Sequence, residues 1–169
     1  SEIRSLEEES LNKALARWCS EYLFVFAALV VLKSVLFPFV LWLWFAPGDL
    51  TTTLQEATSL IFSVICFMIL LGLGSISRYR YRLSLLQVIT ASLIINLPFL
   101  ILWALPTTTS WTEWWWGVFG DGIQLWIPEI SGVKGLLIFP LSLTLMLLGR
   151  RFYVRDKEQT PSPKPSKMR

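Results

Sequence analysis

The chain contains no histidine. That absence removes bis-His haem anchoring, His-box di-iron chemistry and the usual general base of a serine or cysteine nucleophile. Charge is also scarce, at 16% of residues, and no Asp or Glu lies in the apolar heart of any long hydrophobic segment. An intramembrane aspartyl protease, a carboxylate proton relay and a two-carboxylate metal site are thereby excluded. The acids outside those segments, Asp49, Glu56, Glu113, Asp121 and Glu129, lack the spacing of a calcium loop. No glycine-rich phosphate cradle and no internal repeat occurs. Two cysteines, Cys19 and Cys66, cannot build a disulfide framework and read as unpaired packing thiols. These absences together predict a protein that is not an enzyme, with no cofactor and no metal.

Apolar residues are what the chain has in excess. They make up 54% of its 169 residues and the mean hydropathy is +0.57, more than one soluble core of this size can hide. Lipid must take the surplus. A net charge of +3 is spread over loops that flank apolar runs, without the basic, aromatic-interleaved stripe of a nucleic-acid binder. Anionic lipid headgroups are the expected counter-charge, and nucleic acid is not an expected partner.

A membrane-crossing helix needs about 20 mainly apolar residues, and four segments are predicted to supply one, at about 22–45, 54–76, 84–105 and 132–149. Thr53 and Glu56 have the form of a capping box ahead of the second, as do Ser5 and Glu8 near the N-terminus. Ala46-Pro47-Gly48 is a poor cleavage site, and Ser1 reads as a start from which Met was removed, so the first segment is expected to be retained. Arg4, Lys13 and Arg17 precede the first segment, Arg78, Arg80 and Arg82 lie between the second and third, and Arg150, Arg151, Arg155 and Lys157 follow the fourth. The intervening loops, 46–52 and 106–131, hold no Lys or Arg. The positive-inside rule then puts both termini in the cytoplasm, and a bacterial inner membrane is the expected location.

Residues 1–20 are predicted to form a cytoplasmic amphipathic helix, with Ile3, Leu6, Leu11, Ala14, Leu15 and Trp18 opposite Glu7, Glu8 and Lys13. The basic, proline-rich stretch 150–169 is predicted to be a disordered cytoplasmic tail. The fold class is therefore all-α and integral to the membrane, with a transmembrane domain over 21–149.

Several positions are candidates for contact with a partner or lipid. Lys33, near the middle of the first span, either meets a partner from another subunit or an anion or headgroup passing nearby, or snorkels to the inner interface. Pro38, Pro98 and Pro140 are expected to kink their helices. With Asn96, Pro38 and Pro98 either line an outward-facing polar vestibule or, on the plainer reading, reflect the ordinary use of Pro and an interhelical Asn bond in membrane helices. Trp114, Trp115 and Trp116, with Trp111 and Trp126, predict an outer interfacial belt or short half-buried helix, or else a docking surface. Arg78, Arg80 and Arg82 anchor the topology and are a weak candidate for acidic lipid. Ser59, Ser63, Gly72, Gly74 and Ser75 would let another backbone approach closely, within the chain or from another one.

The function these features predict is a non-catalytic accessory, scaffold or assembly subunit that binds other integral membrane proteins. The alternatives are a small oligomeric transporter or channel using Lys33, Asn96 and the kinked helices, and a lipid-interacting or immunity-type protein.

Overall fold

In a computed structural model, residues 2–45, 52–105 and 109–152 are described, and all their regular structure is helical. The stretch 153–169, which holds most of the predicted disordered tail, lies outside the described residues. The helices are α1 (Glu2–Val31), α2 (Phe37–Trp44), α3 (Thr52–Tyr79), α4 (Leu85–Ala104), α5 (Thr109–Trp126) and α6 (Lys134–Gly149). A π-helical turn, Leu32–Leu36, joins α1 to α2, and a 3-10 turn, Pro128–Val133, precedes α6.

Three helical stretches are long and apolar enough to cross a membrane: Arg4–Trp44, Thr52–Tyr79 and Leu85–Ala104. They give the chain the character of an integral membrane protein. The fourth apolar helix, Leu136–Gly149, is shorter, at about 21 Å by helical rise against a hydrocarbon core of roughly 30 Å.

The amphipathic segment and the first span are one uninterrupted helix, so the expected boundary near residue 20 is not marked by any break. Ser5 and Thr53, both expected as caps, lie inside α1 and α3, because helix already runs through Glu2 and Thr52 ahead of them. Among the described residues, a capping box is present at α4. The Gln87 amide donates to Ser84 Oγ (3.2 Å) and the Ser84 amide donates to Gln87 Oε1 (2.9 Å), which satisfies two amides that a helix start otherwise leaves orphaned.

Pro38 differs from Pro98 and Pro140 in its local backbone. Pro38 has no amide to give, and the chain answers with the π turn directly before it, where the Phe37 amide reaches back to the Leu32 carbonyl. Pro98 and Pro140 lie within continuous α4 and α6. In α6, the Ser142 hydroxyl donates to the Ile138 carbonyl (2.7 Å) and the Thr144 hydroxyl to that of Pro140 (2.8 Å).

Small residues decide how closely the helices pack. A Cβ on Gly74 would overlap the Met146 carbonyl, and one on Gly149 would overlap that of Leu71, so α3 and α6 meet backbone to backbone. The Ser75 hydroxyl donates to the Phe152 carbonyl (2.7 Å) at the same crossing. The neighbours of the small-residue face of α3 are therefore inside the chain: α6 at Gly74 and Ser75, and α5 at Ser59 and Ser63. Gly72 faces open space.

Candidate functional site

The tryptophan-rich segment after α4 is a helix packed into the bundle. Thr112, Trp115, Trp116, Val118 and Phe119 of α5 are buried, whereas Trp114 and Trp126 remain exposed. Among the described residues α5 rests chiefly on α3 and also touches α1, α4 and α6. Lipid is as apolar as a leucine side chain, so burial alone gives little reason for such a helix to leave the interface. Polar contacts supply the reason, and three sets of them stand out among the described residues.

The first joins α5 to the π-helical turn after α1 through Lys33. Its Nζ donates to Asp121 Oδ2 at 2.5 Å and to the Gly117 carbonyl at 2.7 Å. Gly117 makes this possible, since a Cβ there would press on the Asp121 carboxylate at 3.0 Å. In this structure the counter-charge of Lys33 comes from its own chain, because α5 carries Asp121 to it, a pairing that the sequence expectations for Lys33 did not include.

The second set centres on Asn96. Its Nδ2 donates to the Tyr22 hydroxyl (3.2 Å) and the Ser92 carbonyl (2.8 Å), while its Oδ1 accepts from Trp115 Nε1 (3.2 Å). Trp115 also stacks on Phe99, with ring centroids 4.1 Å apart. Asn96 is 1% exposed, so it knots three helices together and lines no vestibule. The third set is at Ser63, whose hydroxyl donates to the Phe119 carbonyl (2.7 Å) and accepts from the Gly122 amide (3.1 Å). Trp116 contributes packing only: its buried indole N–H has no hydrogen-bond partner, and the ring is edge-on to Phe99 and Phe139.

Two cavities flank Lys33. One, of about 220 Å3, is lined by Lys33, Ser34, Glu113, Trp114, Gly117 and Asp121. The other, of about 260 Å3, lies between α2 and the start of α3, against Phe37, Pro38, Leu41, Gln55 and Thr58. No group of three or more metal-ligating side chains occurs among the described residues.

The arginine turn is tied to the rest of the chain in part. Arg78 donates to the Arg150 carbonyl (3.2 Å), and Arg150 donates to Ser77 Oγ (2.9 Å) and to the Leu83 carbonyl (2.8 Å). Arg80 lies 3.9 Å from Glu21, whose carboxylate also accepts from the Tyr81 hydroxyl. Burial pushes the Tyr81 phenol up, and the hydrogen bond and charge of Glu21 push it further, against a smaller pull down from Arg80 and Arg17. Arg82 is exposed in a left-handed conformation, φ 53°. Lys134 opens α6, but its side chain lies outside the described residues.

On the free side of the molecule, α2 has no buried residue. Phe39, Trp42, Leu43 and Trp44 are all more than half exposed. The polar knots under α5 were not readable as a set from the sequence. Thr112, Trp115, Trp116, Phe119, Ile123 and Trp126 do recur at helical spacing, and that signal was open to detection.

Comparison with protein families, curated proteins and solved structures finds no match to this chain.

Proposed function

We propose that this chain is a non-catalytic accessory or scaffold subunit of a multi-protein membrane complex, with both termini on the cytoplasmic side and α6 as a short fourth span. The supporting observation is where its polar and apolar groups are spent. Lys33, Asn96, Ser63 and Trp115 are engaged in holding α5 to the bundle. The apolar side chains of α2 meet little of the chain itself, as do Leu6 and Leu11 in the first turns of α1. Docking through these two ends of the first long helix is the mechanism this distribution favours, with anionic lipid against the arginine turn. A bacterial inner membrane fits that orientation.

The transporter reading draws on one feature, the polar cavity at Lys33. It is weakened because Asn96, its other expected polar element, is buried and fully bonded. The test is mild-detergent extraction from the native membrane followed by mass spectrometry of what stays bound in fixed ratio. A stoichiometric membrane partner is expected. Recovery as a lone chain or homo-oligomer would overturn the subunit reading and direct attention to solute flux in liposomes.

A further inference from the structure

The polar cavity beside Lys33 has a charge balance that the scaffold reading does not use. One wall is Lys33 and Ser34 of the π-helical turn, and its α5 wall is Glu113, Trp114, Gly117 and Asp121. Lys33 and Asp121 neutralise one another at 2.5 Å, and the Lys33 ammonium has spent two of its three N–H groups on Asp121 and Gly117. Glu113 is exposed and pairs with no cation among the described residues. It leaves the lining with a net charge of minus one.

A carboxylate beside an indole is the combination that holds an organic ammonium. The carboxylate supplies the opposite charge and the negative ring face supplies a second attraction, strongest for Trp. A small metal cation gains less here, because it would have to give up tightly held water for a single carboxylate. The wall from the π-helical turn has the opposite character, with the third N–H of Lys33 and the Ser34 hydroxyl as hydrogen-bond donors for an anion.

We propose that this cavity binds a zwitterion, with its ammonium on Glu113 and Trp114 and its phosphate or carboxylate on Lys33 and Ser34. A phospholipid headgroup of the ethanolamine or choline type and a free soluble zwitterion share that chemistry. The proposal rests on the membrane-embedded fold and is independent of whether the chain has a protein partner.

The test is native mass spectrometry of the purified full chain in detergent, titrated with phosphatidylethanolamine, phosphatidylglycerol and soluble phosphocholine. Wild type is expected to retain the ethanolamine lipid over the glycerol lipid by about tenfold. E113Q, a change at an exposed side chain, should abolish the preference while leaving the unfolding temperature unaltered. Displacement of bound lipid by phosphocholine supports a site open to soluble zwitterions, and retention despite phosphocholine supports a lipid-restricted one. Equal retention of both lipids by wild type with no phosphocholine bound, or an unchanged preference in E113Q, overturns the proposal. S34A supplies a second check, with weakened retention of every phosphate-bearing probe expected.

Discussion

Lys33 shows what a lone charge in a span demands and how little of the answer lies near it in sequence. Its position announces that a partner is needed, because an unpaired ammonium in hydrocarbon costs several kcal/mol. The partner, Asp121, is 88 residues away in a segment that reads as a loop. Asp121→Asn is expected to lower stability by about 1.5–3 kcal/mol, the range for a hydrogen bond to a charged group. The double variant Lys33→Met with Asp121→Leu should lose less than the two single changes summed, since no orphan charge remains. Thermal unfolding in detergent reads both, and strict additivity would show that the pair does not interact. Tyr81 makes a pH-dependent contribution. Its folded-state pKa is raised, so the stability it adds is present below its ordinary value of about 10 and is lost as pH rises through the raised one. The stability gap between wild type and Tyr81→Phe should therefore close on going to strongly alkaline buffer, as read by unfolding temperature. A gap that stayed constant would mean that the phenol titrates alike in both states.

At the scale of the element, α5 is the helix whose type was hardest to read. Gly117, Gly120 and Gly122 interrupt its sequence and make it look broken, because glycine is a poor helix former. Two of those glycines are where other groups come in close: Gly117 under Asp121 and Gly122 against Ser63. The same residues that hide the helix in the sequence let it seat in the bundle. The long apolar helices α1, α3 and α4 were legible because length and hydropathy alone specify them, whereas the seat of α5 depends on tertiary contacts. A matched pair of substitutions separates local propensity from packing. Gly122→Ala would bring a Cβ into overlap with Ser63 and to 2.8 Å from the Ser59 carbonyl, and should cost about 1–3 kcal/mol by overpacking. Gly72→Ala, with nothing within 4 Å, should be neutral or stabilise by up to about 1 kcal/mol through helix propensity. Equal effects in thermal unfolding would contradict the close approach of α5 to α3.

For the whole molecule, the proposed orientation is argued from the loop charges alone and draws on no contact between helices. Single cysteines placed at Glu129 and at Arg151, on either side of α6, in a chain with Cys19 and Cys66 replaced by serine, should react with an impermeant maleimide from opposite sides of the membrane. Labelling of both from one side would remove the fourth span. Function was the least legible property: under the proposed reading, a chain held against another leaves its chemistry on the partner. The central claim is that the free face of α2 is that point of contact. A photo-reactive amino acid at Trp42, which is 61% exposed, with a control at Phe99 under Trp115, measures it in the native membrane. One discrete adduct of fixed mass at Trp42, with only intrachain product at Phe99, is the predicted result. Lipid adducts alone at Trp42 would contradict it.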